Sequence, residues 1–297
     1  MALHFKKVAV IGVGLIGGSL AMVLRQKGIA SEIVGIGRGL KNLEAAKRLG
    51  VVDSFTTDPV EGVRGAGLVL VAVPVLKIAE TVRNAAPGLE AGCIVTDAGS
   101  VKGAVIREVA PFMPKGVHFV PGHPIAGTEH SGVEAAFPEL YADRRCILTP
   151  VPETDREALE KVKAVWEAAG STVVVMDALV HDMIFAAVSH LPHMIAYTLV
   201  NAVADMDEAS GADVISYSAG GFKDFTRIAS SSPEMWSDIC AMNRAEILKA
   251  IDGFTGRLAT LRALIEKGDQ KNLRAEFERA KGIRDSLVKG ALTGEKE

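Results

Sequence analysis

Three closely spaced glycines follow the first apolar run of the chain and precede its first amphipathic segment. The run Lys7–Ile11 predicts a buried strand, and Ser19–Lys27 has the apolar spacing of a helix. In such a turn the first glycine permits the tight bend, the second lets the backbone approach a pyrophosphate, and the third lets helix pack on strand. A glycine-rich corner without a ligand is the alternative, but the strand–loop–helix setting favours a dinucleotide site. The predicted cofactor residues of this turn are Gly12, Gly14, Leu15, Ile16 and Gly17.

The end of the second predicted strand bears on which dinucleotide binds. In NAD-binding folds an acidic residue about 20 positions after the glycines hydrogen-bonds the ribose 2′-hydroxyl. Here the strand Glu32–Ile36 is followed by Gly37 and Arg38. The missing carboxylate removes repulsion against a 2′-phosphate, and the guanidinium supplies a cation for it. The sequence therefore favours NADP over NAD, although an Arg38 that only stacks on adenine or faces solvent leaves NAD open.

Short β-branched runs alternate with helix-period segments as far as residue 176. This alternation is typical of a doubly wound, mostly parallel sheet of the Rossmann type, which helices cover on both faces. The predicted strands are 7–11, 32–36, 68–73, 93–97, 118–120, 146–149 and 172–176. The predicted helices between them are 19–27, 42–49, 76–86, 102–113 and 155–169.

After Met176 the strand signals nearly disappear, and long helix-period stretches follow at 178–206, 233–267 and 269–290. The sequence thus predicts an α/β chain of two domains. Residues 1–176 form the dinucleotide-binding domain, and residues 177–297 form an all-helical domain for substrate binding and dimerisation. We expect a homodimer through the helical part, although an intramolecular core uses the same apolar spacing.

Charge and cysteine content exclude several classes of protein. The chain has 33 Lys+Arg against 36 Asp+Glu, a net charge of −3, and no long basic run, which argues against a nucleic-acid partner. Its three cysteines have no Cys-x-x-Cys spacing, so a disulfide framework or a zinc ribbon is not expected and a reducing cytoplasm fits. The uncharged stretch 8–24 is interrupted by glycines and is shorter than the roughly 20 residues of a membrane span. We expect no later run to come closer to a span, and therefore no membrane partner.

Four segments carry polar residues where packing alone would not require them: 97–102, 122–129, 189–193 and 220–227. The first two follow predicted strands. Ligands of open α/β sheets bind outside the carboxyl ends of the strands, so Ser100 and His123 should face a bound nicotinamide. Val73 and Pro74, at the end of another predicted strand, should also contact the cofactor. A histidine at such a position can accept a proton while hydride leaves the same carbon, because its pKa lies near neutrality.

In chain order these segments read Asp-Ala-Gly-Ser-Val-Lys, Gly-His-Pro-Ile-Ala-Gly, Ser-His-Leu-Pro-His and Gly-Gly-Phe-Lys-Asp-Phe-Thr-Arg. Over residues 6–290 the chain resembles the prephenate dehydrogenase family of tyrosine biosynthesis, which includes arogenate dehydrogenases. The resemblance implies that a nicotinamide cofactor accepts hydride from the ring carbon bearing the hydroxyl, while the ring carboxylate leaves as CO2 and a 4-hydroxyphenyl product forms. Whether the substrate side chain carries a keto group (prephenate) or an amino group (arogenate) stays open.

The resemblance also assigns roles to individual residues. His123 would deprotonate the ring hydroxyl, and Ser100 would be its hydrogen-bonding partner near the nicotinamide. Arg227 would hold a substrate carboxylate, which suits a bidentate guanidinium, and His193 would contact the substrate side chain. The residues that would line or gate the same pocket are His190, Thr128, Glu129 and Asp224, with Trp236 nearby.

The histidines could also be mistaken for a metal site. His123, His190 and His193 have no carboxylate or cysteine at a recognisable ligand spacing, and Pro192 suits a helix distortion beside a pocket, so we expect no metal. The group Asp177, His181 and Asp182 is predicted to be the acidic first turn of a helix rather than part of the catalytic machinery.

Two other functions compete with this interpretation. A dehydrogenase of 3-hydroxy acids would place a lysine on the first long helix after the sheet, but residues 178–206 contain none. A non-enzymatic sensor of NADP would not need a proton acceptor together with an anion-binding arginine. We also expect a monofunctional chain, without a chorismate mutase domain before the glycine loop or a regulatory domain after the last helix.

Overall fold

The computed structural model describes residues 3–128 and 130–293, and its largest layer is a six-stranded parallel sheet. The strands are β1 (Phe5–Ile11), β2 (Ala30–Ile36), β3 (Ser54–Thr56), β4 (Leu68–Val71), β5 (Ile94–Asp97) and β6 (His118–Val120). They lie in the order β3-β2-β1-β4-β5-β6, with Val8 of β1 paired to Ile33 on one side and Leu68 on the other. The direction of chain order reverses between β1 and β4, which is where ligands bind in doubly wound sheets. The predicted Rossmann-type sheet is confirmed.

Helices cover this sheet, and apolar residues fill the space between the layers. The helices are α1 (Leu15–Gln26), α2 (Leu40–Arg48), α3 (Pro59–Val63), α4 (Ile78–Ala85) and α5 (Gly103–Val109). Leu20 and Leu24 of α1 are fully buried, as is Leu70 of β4. The sequence analysis missed β3 and α3, because elements of three and five residues are too short to show a hydrophobic period.

A second sheet of three strands follows the first one. It contains β7 (Gly122–Pro124), β8 (Arg145–Leu148) and β9 (Thr172–Val175), with β7 antiparallel and β9 parallel to β8, and α6 (Arg156–Ala168) lies between β8 and β9. The sequence analysis placed 146–149 and 172–176 in the same sheet as the earlier strands and left 122–124 without a strand. Pro121 has no N–H to extend β6, and a three-residue strand that contains glycine and proline carries no strand signal.

The described residues beyond 176 contain helices and no strands, as predicted. The α-helices are α7 (Ala178–Phe185), α8 (Leu191–Ser210), α9 (Gly220–Thr226), α10 (Pro233–Met242), α11 (Arg244–Glu266) and α12 (Gln270–Thr293). A π-helical turn, Ala186–His190, joins α7 to α8. Pro192 can donate no hydrogen bond to the preceding turn and its ring would clash with a carbonyl there, and the wider turn accommodates both effects. The predicted distortion beside Pro192 is thus present.

The chain divides into two compact units, Met1–Ile247 and Leu248–Glu297. The predicted boundary at 176/177 lies between the end of β9 and the start of α7, whose first turn is capped by Asp177 through Leu179 N (2.8 Å) and Val180 N (3.2 Å). This boundary remains a prediction. Within the second unit, Arg257 of α11 forms an ion pair with Glu276 of α12.

One segment has the length and apolar composition of a membrane span, namely residues 178–210. The expectation that no later run comes closer to a span than residues 8–24 is therefore wrong. Length and composition alone do not distinguish a membrane span from a helix of a globular protein. The burial of polar side chains in this segment is a further observation. His181, Asp182 and His190 are buried among protein groups.

Candidate active site

The three glycines of the first turn differ in what surrounds them. Gly12 has φ +93°, and a Cβ there would collide with the carbonyl oxygen of Ala72. A Cβ on Gly17 would collide with the carbonyl oxygen of Gly12, so this glycine allows α1 to pack closely on β1. A Cβ on Gly14 would meet nothing within 4 Å. The open position lies at the N-terminus of α1, where an anionic ligand can approach the backbone.

A cleft of about 560 Å³ opens beside this turn, beyond the carboxyl ends of β1, β2 and β4. Of the residues predicted to bind cofactor, Gly12, Gly14, Arg38, Val73 and Pro74 line it. Leu15 is instead buried in the core, and neither it nor Ile16 lines the cleft. An open glycine, a helix N-terminus and a cleft at the strand ends fit a dinucleotide.

Charged side chains lie at one end of the cleft. Arg38 is exposed and follows β2 after Gly37, and Lys77 joins it from the other wall. Lys77 pairs with Glu80 at 3.1 Å, and its hydrogen bond and charge, with a smaller contribution from Arg38, hold the pKa of the Glu80 carboxyl below its usual value. Lys77, just before α4, and Glu80, in the first turn of α4, were not predicted from the sequence because no glycine motif marks this helix start.

His123 lies on β7 and is the first member of a hydrogen-bonded chain. Its Nδ1 is 2.8 Å from Nε2 of His181, and Nδ1 of His181 is 2.8 Å from Oδ1 of Asp182. The ring of Phe185 packs on both imidazoles, with centroids 4.9 Å from His123 and 4.5 Å from His181. Burial, with the charge of Lys102, holds the pKa of His123 well below its ordinary value, so the imidazole is neutral near pH 7.

Asp182 is held by backbone amides at the start of α5. Its Oδ1 accepts a hydrogen bond from Lys102 N and its Oδ2 accepts one from Gly103 N, each at 2.8 Å. Burial raises the pKa of the Asp182 carboxyl, but the hydrogen bonds from His181 and from these two amides outweigh burial and the pKa lies below its usual range. Of the predicted acidic first turn, Asp177 does cap α7, whereas His181 and Asp182 lie further along the helix and in this hydrogen-bonded chain. That His181 and Asp182 are not part of the catalytic machinery remains a prediction. Their link to His123 spans 58 residues and leaves no local pattern in the sequence.

Lys102 ties the two sheets together. Its fully buried Nζ forms an ion pair with Asp97, the last residue of β5, and donates to Gly122 O on β7 at 2.6 Å. Asp97 in turn accepts hydrogen bonds from Gly122 N (3.2 Å) and Gly99 N (2.8 Å). Burial lowers the pKa of the Lys102 ammonium, and the charge of Asp97 opposes this effect. These contacts fix His123 close to the end of β5. β5 lies next to β4, and the residues that follow β4 line the cleft.

The two other histidines lie on the π-helical turn and α8. Asn243, between α10 and α11, donates from Nδ2 to Asp182 O (2.9 Å) and to His190 Nδ1 (3.2 Å). Burial lowers the pKa of His190 to about 4. His193 donates from Nδ1 to Ser189 O (2.9 Å), and its ring stacks on Trp236 with centroids 3.7 Å apart. Sequence reasoning missed Asn243, which interrupts the single helix predicted over 233–267.

The remaining predicted residues are less closely connected. Arg227 is exposed, and its charge adds a smaller contribution to the lowering of the His193 pKa, which burial chiefly causes. Thr128 and Asp224 are exposed and, within the described part of the chain, make no hydrogen bond or ion pair to these histidines; Thr128 accepts from His130 N. Ser100 is partly buried in the turn between β5 and α5. Glu129 lies outside the described residues.

Among residues 3–128 and 130–293, no group of three histidine, cysteine, aspartate or glutamate side chains could hold a metal ion. The arrangement instead offers a neutral imidazole for proton transfer, a cleft that fits a dinucleotide, and an exposed guanidinium for an anion, although neither His123 nor Ser100 lines that cleft.

Comparisons with known proteins point to one family. The family described as "Prephenate dehydrogenase, nucleotide-binding domain" matches residues 20–175, and "Prephenate dehydrogenase, dimerization domain" matches residues 177–279. The cyclohexadienyl dehydrogenase of Zymomonas mobilis is 36% identical, over 95% of this chain and 96% of that protein.

Two solved structures are similar over nearly the whole chain. The prephenate dehydrogenase of A. aeolicus in complex with hydroxyphenyl propionate and NAD+ is 38% identical, with a TM-score of 0.91, over 97% of this chain and 100% of that chain. The arogenate dehydrogenase of Synechocystis is 30% identical, with a TM-score of 0.81, over 95% of this chain and 100% of that chain. The chain belongs to the prephenate dehydrogenase family.

Proposed function

We propose that the chain catalyses the oxidative decarboxylation of prephenate to 4-hydroxyphenylpyruvate, with NADP as the preferred hydride acceptor. As a member of its family it is a nicotinamide-dependent oxidoreductase of tyrosine biosynthesis. The observation that carries the proposal is His123, whose neutral imidazole is fixed beyond the end of β5, the strand beside β4, and the end of β4 borders the cleft.

His123 acts as the base in this proposal. When bound, the nicotinamide supplies the acceptor for the hydride. His123 accepts the proton of the ring hydroxyl at Nε2, and the electron pair of the O–H bond forms a carbonyl as the C–H bond of the same carbon breaks and its electron pair leaves with the hydrogen as hydride. As the carbon–carboxylate bond breaks and CO2 leaves, its electron pair aromatises the ring, and the proton returns from Nε2 to the ring oxygen. Ser100, in the turn after β5, would hold the hydroxyl in line with this imidazole.

Arg227 is the proposed anion-binding group, because an exposed guanidinium can hold a carboxylate in bidentate fashion. In this proposal His193 contacts the side chain of the substrate that Arg227 holds, and the charge of Arg227, after burial, contributes to the lowered pKa of His193. His190, Thr128, Glu129 and Asp224 remain proposed pocket residues.

Arogenate is the second candidate substrate, and one observation favours it. His193 donates its Nδ1 proton to Ser189 O, so the neutral imidazole has a lone pair at Nε2. A lone pair there can accept a hydrogen bond from the ammonium group of arogenate. Prephenate, with a keto oxygen at the same position, would need a donor from elsewhere in the pocket.

The test is the absorbance of the reduced cofactor after the purified protein is mixed with prephenate or arogenate, each with NAD and with NADP. We expect the fastest reduction with prephenate and NADP. Faster turnover of arogenate would replace the substrate in the proposal. A protein that binds the cofactor but is silent in all four mixtures would contradict the function, and 3-hydroxy acids would be the next substrates to examine.

The preference for NADP is supported by the cations at one end of the cleft. We expect Arg38→Ala to raise KM for NADP about 10- to 100-fold, because one charge-assisted hydrogen bond to the 2′-phosphate contributes about 1.5–3 kcal/mol. KM for NAD should change by less than about threefold. The measurement is steady-state kinetics with each cofactor. Arg107→Ala, an exposed site on α5 outside the cleft, is the matched control. Equal changes in both KM values would contradict a contact with the 2′-phosphate.

A homodimer through the helical residues, in the cytoplasm, completes the proposal. Exposed apolar side chains on α7, the π-helical turn and α8 include Leu179, Met183, Val188 and Met206. Large exposed apolar surfaces mark association sites, and residues 177–279 match a dimerization domain. We expect light scattering to give about twice the chain mass of 31.3 kDa at micromolar concentration. A monomer at that concentration would contradict the dimer.

A further inference from the structure

We propose that His181 and Asp182 are positioning residues that fix His123 in the tautomer with its proton on Nδ1 and its lone pair on Nε2. The catalytic consequence of this inference rests on the proposed function, whereas the tautomer itself does not. Neither residue needs to touch the substrate, because both act through the ring of His123.

The protonation state of Asp182 follows from the groups that face its carboxyl. Its carboxylate faces two backbone N–H groups, Lys102 N on Oδ1 and Gly103 N on Oδ2. An N–H group can only donate, so both carboxyl oxygens accept here, and together with the hydrogen bond from His181 these contacts keep the pKa of the Asp182 carboxyl below its usual value despite burial. Asp182 is therefore ionised, and the Nδ1 atom of His181, 2.8 Å from Oδ1, must be the donor.

The tautomer of His181 determines the tautomer of His123. A neutral imidazole that carries its proton on Nδ1 has a lone pair on Nε2. Nε2 of His181 lies 2.8 Å from Nδ1 of His123, so Nδ1 of His123 donates this hydrogen bond. The remaining nitrogen of His123, Nε2, is then an acceptor. This is the state that a base needs in order to take a proton from a hydroxyl group.

The reverse arrangement would require His181 to carry two protons. It would then donate to His123, which would hold its own proton on Nε2 and could not act as a base. Two features oppose that state. The His181 side chain is fully buried, and the Lys102 ammonium lies nearby, so burial and this charge lower the pKa of His181 although Asp182 raises it. Phe185 covers both rings and keeps water from replacing either hydrogen bond.

The hydrogen-bonded chain of His123, His181 and Asp182 also accounts for the fate of the transferred proton. When Nε2 of His123 accepts a proton, the imidazolium forms at the end of a chain that begins at an ionised carboxylate. His181 passes the attraction of Asp182 to the new charge through two hydrogen bonds. Asn243 restrains the same element, because its Nδ2 donates to Asp182 O.

The test compares two variants at His181 by kinetics and by nuclear magnetic resonance of ring-15N-labelled histidine. In the wild type we expect His123, assigned by its absence in His123→Asn, to show the Nδ1–H tautomer. His181→Phe preserves the aromatic packing but removes the acceptor. It should populate the Nε2–H tautomer and lower kcat about 10²- to 10³-fold, with KM changed less than about threefold.

His181→Gln tests for rescue, because its amide can donate to Asp182 and its carbonyl oxygen can accept from His123 Nδ1. We expect kcat of His181→Gln to be at least about tenfold higher than kcat of His181→Phe. A role of His181 in packing alone would not explain this recovery. His4→Gln, an exposed site that hydrogen-bonds Ser31, is the matched control. If His181→Phe does not fold, Asp182→Asn takes its place. In either orientation the amide NH2 group of the new asparagine would face an N–H donor, and we expect this repulsion to displace the tautomer of His123.

An Nε2–H tautomer of His123 in the wild type would overturn the inference, and so would a His181→Phe variant whose kcat stays within about twofold of wild type. Failure of the proposed function is distinguishable from both outcomes. If no pair of substrate and cofactor turns over, the function fails, while the resonance measurement still decides the tautomer.

Discussion

Replacing His123 with asparagine is expected to lower kcat about 10²- to 10⁴-fold while the dissociation constants of the cofactors change little. The imidazole is the proposed acceptor of the hydroxyl proton, and asparagine is similar in size but has no basic nitrogen. The cleft is lined by residues of other elements, so cofactor binding should survive. Steady-state reduction of the cofactor gives kcat, and quenching of protein fluorescence gives the cofactor affinity.

The pH dependence of kcat/KM provides an independent measurement on the same residue. Protonation removes the lone pair of His123, so activity is lost as the pH falls through the pKa of this group. Because burial and the charge of Lys102 lower that pKa, the midpoint of the acid limb should lie below 6.5. The limb should be missing from the residual activity of His123→Asn. A wild-type midpoint above 6.5, or a variant that keeps more than about half of kcat, would remove His123 from the role of base.

Lys102→Met is expected to lower the free energy of unfolding by about 3–5 kcal/mol, because it leaves the buried carboxylate of Asp97 without its cation. Methionine fills a similar volume, so the loss reports the charge and the hydrogen bond to Gly122 O rather than a cavity. Since Gly122 precedes His123, kcat should fall as well. Denaturant unfolding monitored by circular dichroism measures the change.

Two variants make the Lys102 result specific. The double variant Asp97→Asn with Lys102→Met removes both charges, so it should be more stable than Lys102→Met alone. Lys161→Met breaks the exposed ion pair with Glu157 on α6 and should change stability by less than about 1 kcal/mol. A Lys102→Met variant as stable as Lys161→Met would mean that the ion pair does not hold the two sheets together.

The parts of the fold that the sequence predicts are those with a local cause. Apolar runs such as 68–71 identify the parallel strands, and the spacing of Gly12, Gly14 and Gly17 identifies the turn beside the cleft. The second sheet escapes prediction because β7 consists of Gly122, His123 and Pro124, which have no β-branched residue between them. Strand pairing there depends on β8, more than 20 residues away in sequence.

The candidate site divides in the same way. His123 and Ser100 are predictable because they follow strand ends, where ligands of such sheets bind. His181 and Asp182 look like an ordinary helix start, since an acidic residue in the first turn is stabilising by itself. Only the packing of α7 against the start of α5 brings Asp182 to the amides of residues 102 and 103. The cofactor and substrate roles of the individual residues stay predictions.

The π-helical turn Ala186–His190 accommodates one more residue than an α-helical turn would, and this has a consequence for how the chain tolerates changes in length. Each residue of an α-helix advances the side chains by roughly 100° around the axis. Removing one residue from the π-helical turn would convert it to an α-helical turn and keep the phase of α8, whereas removing one residue from α7 or α8 with the π-helical turn retained would rotate α8 by that angle and carry His193 away from Trp236. The turn is thus the place in this segment where the number of residues can change by one while Asp182 and His193 keep their angular relation.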